Sequence, residues 1–227
     1  MPEPFDFAQK IALVAGGTGG LGAPIAAELR ARGCIVTTVS RSPISDTAHI
    51  SADLRSPDAI SAVMNSIVER HGGVDIVVNA MGVVAFGTVD ATSIDTIEEL
   101  FLTNTFAHIF LMKEALKCAR QGSVLVGISG VIAEQNLPGL ATYGASKVAV
   151  RSFNEALTRE ARRSGIRVID ARPPHTETGL SSRAIAGDPP KFPVGLDPTK
   201  VAQRIVRAIA DGETDLPSTA FADLSGD

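Results

Sequence analysis

Two hydrophobic patterns alternate along this chain. Short apolar runs that end at a glycine or a polar residue predict six buried strands, at 10–15, 34–40, 49–52, 75–79, 123–129 and 166–171. Between them, helical spacing of apolar residues predicts helices over 23–32, 57–70, 98–120, 141–163 and 197–210. This alternation predicts one α/β domain over residues 1–227, a Rossmann-like doubly wound parallel sheet flanked by helices. Residues 179–196 hold prolines and glycines with little periodicity, which predicts a flap over a substrate site.

Composition fits such a domain and narrows the function classes. The chain has 227 residues, 44% of them hydrophobic, and a net charge of −4 without a basic run, which argues against nucleic acid as a partner. No apolar run approaches the ~20 residues of a membrane helix. Cys34 and Cys118 give neither a disulfide framework nor metal-ligand spacing, so no metal is expected. We expect a soluble, cytoplasmic protein.

A glycine-rich loop joins the first strand to the first helix. Backbone N–H groups in such a loop approach an anion closely, and the helix dipole favours negative charge there. The candidate binding residues are Gly16, Thr18, Gly19, Gly20, Leu21 and Gly22. The alternative is a strand–helix turn without a ligand, which the flanking strand and helix make the weaker interpretation.

Polar and small residues follow the next strands at positions that would face the same ligand. Ser40, Arg41 and Ser42 end the second strand, where a cation and hydroxyls suit a 2′-phosphate and an acidic residue would suit NAD. The sequence therefore favours NADP(H), with NAD(H) as the alternative. Further candidates are Asp53 and Leu54 after the third strand, with the Asp53 carboxylate open to the adenine amine, and Asn79, Ala80, Met81 and Gly82 after the fourth.

The only tyrosine, Tyr143, precedes Lys147 by one helical turn. Residues i and i+4 share a helix face, so both side chains can enter one site. A nearby cation lowers the pKa of a phenol from about 10, which suits proton exchange with a carbonyl or alcohol. The alternative is a surface Tyr and a solvated Lys. Asn104, inside a predicted helix, is either a kink or capping residue or a side chain that bridges backbone and site water.

Together these motifs resemble the short-chain dehydrogenase/reductase family over about residues 10–210. The matching positions are Gly16, Gly20 and Gly22 (with Ala15 replacing the family's Thr), Asp53, Asn79 to Gly82, Asn104, Tyr143 and Lys147. The resemblance implies that Tyr143 protonates a carbonyl as hydride arrives from the nicotinamide. It implies that Lys147 lowers the pKa of the tyrosine and binds the nicotinamide ribose, and that Asn104 holds a relay water.

The same resemblance places a second segment at the nicotinamide. Pro173, Thr176 and Thr178 fit the family's nicotinamide-contacting stretch, although Pro174 stands where the family has Gly. We expect the intervening His175 to point outward, with a substrate contact as the alternative.

One departure concerns the family's catalytic serine, which precedes the tyrosine by 13 positions. Gly130 stands there, and Ser129 is one residue off. Neighbours on extended backbone face opposite sides, so Gly130 is the predicted occupant, while Ser129 is kept as a candidate catalytic residue. We expect Gly130→Ser to restore the missing donor with little rebuilding.

The resemblance implies an NADP(H)-dependent oxidoreductase of the carbonyl reductase or alcohol dehydrogenase type. Its partner would be a small-molecule carbonyl or alcohol, and its assembly a homodimer or homotetramer. Losing one donor to the carbonyl oxygen costs roughly 10²–10³ in rate. The alternative is therefore a catalytically impaired protein of this fold that binds a dinucleotide as a sensor or scaffold. The glycine loop and Arg41 oppose a third class, a structural protein without cofactor.

Overall fold

The computed structural model describes residues 5–224 and contains a seven-stranded parallel sheet with helices on both faces. The strands are β1 (Ile11–Ala15), β2 (Ile35–Ser40), β3 (His49–Ser51), β4 (Val74–Asn79), β5 (Ala119–Ile128), β6 (Arg167–Ala171) and β7 (Asp215–Leu216). The helices are α1 (Gly22–Ala31), α2 (Pro57–His71), α3 (Ile94–Leu100), α4 (Ala107–Cys118), α5 (Ala141–Ala161) and α6 (Pro198–Asp211). The strand order β3-β2-β1-β4-β5-β6-β7 confirms the predicted fold class.

Side chains of β1 alternate between the two faces of the sheet. Ala12 and Val14 pack with apolar residues of α1 and α6. Leu13, between them, packs with apolar residues of α2, α4 and α5. Because successive strand residues point to opposite faces, burial on both sides produces the continuous apolar run seen in the sequence.

Helix ends follow local capping chemistry. The Asp197 carboxylate accepts the backbone N–H of Thr199 at 2.6 Å and of Lys200 at 3.1 Å, and Pro198 takes the first helical position of α6. This confirms the predicted start of the helix. Its end is a left-handed Gly212.

The predicted helix over 98–120 is wrong at both ends. α3 begins earlier, at Ile94, where the Ser93 hydroxyl accepts the N–H of Thr96. A π-helical turn, Phe101–Phe106, then separates α3 from α4. The helix ends at Cys118, and β5 starts at Ala119 rather than at 123.

Two further strand predictions need correction. β5 ends at Ile128, so Ser129 lies beyond the strand that was predicted to include it. β7 was missed, and the sheet has seven strands rather than six; its two residues pair in parallel with β6 and are too few for a sequence pattern.

Other expectations from composition meet limited observations. Within residues 5–224 no helix has the length and apolar character needed to cross a bilayer. Both cysteines are free thiols: Cys34 is buried and Cys118 is half-buried.

Candidate functional site

Two adjoining cavities lie beyond the carboxyl ends of the strands. The polar cavity, about 460 Å³, is lined by Gly16, Thr18, Val39, Ser40, Arg41, Ser42, Ala52, Asp53, Leu54, Arg55, Val83 and Thr103, together with the residues it shares with its neighbour. The apolar cavity, about 270 Å³, contains Tyr143 and Lys147. The shared wall consists of Gly19, Gly20, Ala80, Met81, Gly82, Thr178 and Arg183. The two cavities therefore form one cleft that runs from Arg41 to Tyr143.

The glycine loop forms the floor of this cleft by close backbone approach. A Cβ at Gly16, whose φ is 74°, would lie 2.8 Å from the Ala80 carbonyl oxygen. A Cβ at Gly20 would lie 2.2 Å from the Thr178 carbonyl oxygen. The loop therefore exposes backbone rather than side chains to the cleft, as the N-terminal end of α1 requires for an anion.

At the Arg41 end of the polar cavity, two serine hydroxyls hold the backbone in place. Ser51 Oγ donates to the Arg41 carbonyl at 2.9 Å, and Ser40 Oγ donates to the Ser42 carbonyl at 3.0 Å. The Ser40 hydroxyl, predicted to face a phosphate, is thus used within the turn. The Arg41 side chain is exposed at the cavity edge and is the cation available there.

Asp53 lies in the polar cavity but already has a partner. Arg55 donates to its Oδ1 at 3.0 Å and to its Oδ2 at 2.6 Å, and that hydrogen bonding lowers the pKa of Asp53. Arg55 also donates to Glu99 at 2.8 Å. The carboxylate stays ionised and keeps lone pairs for a further donor, while the neighbouring Leu54 is buried.

Tyr143 and Lys147 enter the apolar cavity from one face of α5, as their spacing predicts. The Lys147 Nζ donates to the Ile128 carbonyl at 2.6 Å. Burial raises the pKa of Tyr143 to about 12 and lowers the pKa of Lys147 to about 8. The expected lowering of the tyrosine pKa by the lysine is absent here, because burial dominates and the ammonium is held on a backbone carbonyl.

The Asn104 side chain makes three hydrogen bonds to protein groups. Its Oδ1 accepts the Val83 N–H at 2.8 Å, and its Nδ2 donates to the Val83 carbonyl and to Ser146 Oγ, both at 3.0 Å. Ser146 Oγ donates in turn to the Tyr143 carbonyl at 2.7 Å. Asn104 therefore ties the loop after β4 to helix α5, and its role in holding a relay water stays a prediction.

Ser129 does not face the cleft. Its side chain is fully buried, and its hydroxyl donates to Asp170 Oδ2 at 2.8 Å. The prediction of Ser129 as a catalytic residue is therefore wrong, because its hydroxyl does not reach the cleft.

Gly130 does line the apolar cavity, as predicted, but it has φ 79° and ψ 163°. Such a backbone conformation is nearly restricted to glycine and costs another residue about 1–3 kcal/mol. The expectation that serine fits there with little rebuilding is wrong, although no atom lies within 4 Å of an added Cβ.

The loop after β6 closes the apolar cavity, and Pro173, Thr176 and Thr178 line it. His175, expected to point outward, also lines it: its ring stacks on Phe192 at 4.7 Å, with Nε2 3.4 Å from Glu177 Oε1. The outward orientation was wrong because the 179–196 segment folds back and gives the imidazole a stacking partner.

Several lining residues escaped sequence reasoning. They are the apolar Val84, Phe86, Ile132, Leu137, Leu140, Leu180 and Phe192, together with Ser181 and Arg183. Most lie in loops without periodicity, so no pattern identifies them. Leu180, Ser181, Arg183 and Phe192 do fall within the predicted flap, which contributes to the cavity wall.

Comparison with known proteins agrees with this geometry. The short chain dehydrogenase family profile matches residues 10–188. A versicolorin reductase of Emericella nidulans is 31% identical, over 75% of this chain and 70% of its own. A hydroxynaphthalene reductase of Aspergillus fumigatus is 28% identical, over 89% and 78%. The structure of a Burkholderia cenocepacia short chain dehydrogenase in complex with NADP superposes with a TM-score of 0.80 at 24% identity, covering 95% of this chain and 99% of that one.

The fold and the cleft define an oxidoreductase built on a dinucleotide-binding sheet. The chain belongs to the short-chain dehydrogenase family.

The buried lysine gives a test of the site that needs no substrate. Lowering the pKa of Lys147 from 10.5 to about 8 means that the unfolded chain binds more protons between these pH values, so stability rises with pH across that window. Below pH 8 the buried cation costs on the order of 3 kcal/mol. We expect Lys147→Met to stabilise the protein at pH 7 by about 2 kcal/mol, after loss of one hydrogen bond, and by less at pH 10.

Thermal unfolding at pH 7 and pH 10 checks this expectation. Lys117→Met is the matched control, because Lys117 is 59% exposed and should show no such pH-dependent gain. A Lys147→Met protein that is less stable than the wild type at pH 7 would contradict the argument.

Proposed function

We propose that this protein is an NADP(H)-dependent oxidoreductase that reduces a small, largely apolar carbonyl compound, or oxidises the corresponding alcohol. The observation that carries the proposal is the shared wall between the two cavities. It places the candidate acid, Tyr143, at one end of a cleft whose other end carries Arg41 and a glycine cradle.

The cradle fits a dinucleotide because its glycines leave no side chain in the path of a phosphate. Gly16 to Gly22 and Arg183 would hold the phosphates, Asp53 the adenine, and Lys147 the nicotinamide ribose. The bound cofactor supplies the hydride. Tyr143 gives its proton to the carbonyl oxygen, and a phenol with a raised pKa is protonated and ready to do so at neutral pH. Lys147, with a pKa of about 8, can exchange protons near the working pH.

Two observations support NADP(H) over NAD(H). Arg41 presents the exposed cation at the polar end of the cleft, and a guanidinium matches a phosphate better than a ribose hydroxyl pair. The Burkholderia cenocepacia structure holds NADP on the same fold.

The apolar cavity supports the substrate class. Its wall is formed mainly by aliphatic and phenyl side chains, so a substrate with more than a few polar groups would lose hydration there without recovering hydrogen bonds. The names of the two fungal relatives, both reductases, support the reductive direction.

The second candidate is a dinucleotide-binding sensor or scaffold, and Gly130 is the observation that favours it. With glycine at position 130, that position offers no side-chain donor to a carbonyl oxygen. A sensor has no use for an acid–base pair, however, and Tyr143 with Lys147 is intact in the cavity. Binding of NADPH with no turnover of any carbonyl would favour the sensor.

Turnover tests the proposed activity directly. A panel of apolar ketones and aldehydes with NADPH should yield a fall in absorbance at the nicotinamide band. We expect Tyr143→Phe to lower kcat at least 10²-fold, because it removes the proton donor, while NADPH affinity changes less than about twofold. If Tyr143→Phe keeps wild-type turnover, another group is the acid and the assigned role is wrong.

Cofactor choice is tested by calorimetric titration of both nucleotides. We expect tighter binding of NADPH than of NADH, and a preference about tenfold smaller in Arg41→Ala, because one charge-assisted contact to the 2′-phosphate is lost. Arg162→Ala is the control, since Arg162 is exposed and precedes β6, at the amino ends of the strands and so on the side of the sheet away from the cleft. An unchanged ratio in Arg41→Ala would refute the assignment.

We also propose a single domain that assembles as a homodimer or homotetramer. Phe106 is 47% exposed and stacks on Phe110, and Val148 of α5 is 39% exposed, so the chain alone leaves an apolar face uncovered. We expect a dimer or tetramer mass by light scattering at micromolar concentration, and a smaller mass for Val148→Lys. A monomeric wild type would contradict this.

A further inference from the structure

A continuous chain of buried hydrogen bonds crosses the sheet behind the cleft. Asn79 Nδ2 bonds His108 Nδ1 at 2.9 Å, His108 Nε2 bonds Asn154 Oδ1 at 2.7 Å, and Asn154 Nδ2 donates to Asp170 Oδ1 at 2.8 Å. At the cleft end, the Met81 N–H donates to Asn79 Oδ1 at 3.0 Å. None of the four side-chain-bonded residues is more than 4% exposed. Four elements, β4, α4, α5 and β6, are joined in one line.

Every bond in this line has a forced direction. The Met81 backbone can only donate, so the Asn79 oxygen accepts from it and the Asn79 amide donates to His108 Nδ1. The imidazole must then carry its proton on Nε2 and donate it to Asn154, whose amide donates to a carboxylate. Burial lowers the pKa of His108 to about 4, so the ring stays neutral in this tautomer.

The anchor of the line is equally fixed. The second oxygen of Asp170 accepts from Ser129 at 2.8 Å and from Arg172 at 2.5 Å. The line crosses β5 at Gly127, where a Cβ would lie 2.3 Å from Asn154 Nδ2 and 2.7 Å from the His108 ring. The glycine in β5 thus leaves the space that the polar groups of α4 and α5 occupy.

The other end of the line lies where the two cavities meet. Ala80, Met81 and Gly82 belong to the shared wall. The Asn79 amide is the side chain that holds the Met81 N–H, and His108 is the group that holds the Asn79 amide. Polar groups buried at such depth are costly unless they are fully hydrogen-bonded. Because hydrogen bonds are directional, a line that ends at the cleft wall can orient that wall, which apolar packing cannot do.

We propose that His108 is a positioning residue for the cofactor cleft. Through Asn79 it fixes the backbone of residues 80–82, against which the nicotinamide half of the cofactor lies. This inference rests on the proposed cofactor. Arg41 and Asp53, proposed to hold the adenosine half, make no hydrogen bond to the line in the described structure, so we expect that half to depend on it much less.

Two variants at position 108, Asn and Leu, separate this role from simple packing, because their side chains are nearly isosteric with each other. In His108→Asn, Oδ1 takes the place of the ring Nδ1 and can still accept from Asn79, whereas His108→Leu has a methyl group there. We expect His108→Leu to weaken NADPH binding about tenfold and His108→Asn to recover most of that loss. Binding of 2′,5′-ADP, which has only the adenosine half, should stay within twofold of wild type in both.

Calorimetry on folded protein gives these affinities, and Ser123→Ala is the matched control. Ser123 is equally buried and hydrogen-bonded, but it lies in the middle of β5 and is bonded to Val74 at the start of β4, outside the line. Equal loss in the Leu and Asn variants, or equal loss of NADPH and 2′,5′-ADP, would overturn the inference. A wild type that binds no NADPH would instead refute the proposed function.

Wild-type protein provides a measurement that no folding defect can confound. Nitrogen-15 spectra of the histidine rings should show His108 as the neutral Nε2–H tautomer, unchanged from pH 5.5 to pH 8. An Nδ1–H tautomer, or titration near pH 6.5, would mean that the line is not assembled as described and would overturn the inference.

Discussion

The cleft depends on backbone segments that approach more closely than any side chain allows. The loop after β1 touches the segments that follow two other strands, at Gly16 against Ala80 after β4 and at Gly20 against Thr178 in the loop after β6. These contacts are possible because parallel pairing brings the carboxyl ends of the strands to one edge of the sheet. Parallel pairing of the strands therefore sets the position of the groups at that edge. They include the Arg41 cation and the Tyr143 phenol.

A second constraint acts from behind the cleft, where charged and amide groups are buried. Asp170 is 4% exposed and is bonded by Ser129, Asn154 and Arg172. A buried carboxylate is tolerated only with such partners, and each partner belongs to a different segment. The hydrogen bonds therefore fix how α5 and the β5 and β6 ends sit relative to one another, in addition to the apolar packing of the two faces.

The sequence predicts those parts of the molecule in which a local pattern and a tertiary role coincide. Apolar runs identified six of the seven strands, because both faces of the sheet are covered. The i, i+4 spacing of Tyr143 and Lys147 was enough to place both in one cavity, because a helix fixes that geometry without any long-range information. The glycine loop could also be predicted, since close backbone approach requires glycine at those positions.

What the sequence could not predict depends on contacts between distant segments. The π-helical turn around Asn104 forms where that side chain can reach Val83 and Ser146, and neither lies nearby in sequence. The sequence favoured Gly130 over Ser129 as the residue that faces the cleft, but it did not predict the positive φ of Gly130 or the bond from Ser129 to Asp170. His175 turns inward because Phe192, seventeen positions later, offers its ring, a pairing that no periodicity encodes.

The backbone at Gly130 also limits how new chemistry could be added to this cleft. With φ at 79°, the residue occupies a conformation that disfavours every side chain, whatever space surrounds it. A serine placed at position 130 would therefore meet a backbone with another conformation, and a hydroxyl donor there would require coordinated changes in the neighbouring peptide bonds. Substitutions in the side chains of the cavity wall are a more accessible route to new chemistry in this cleft.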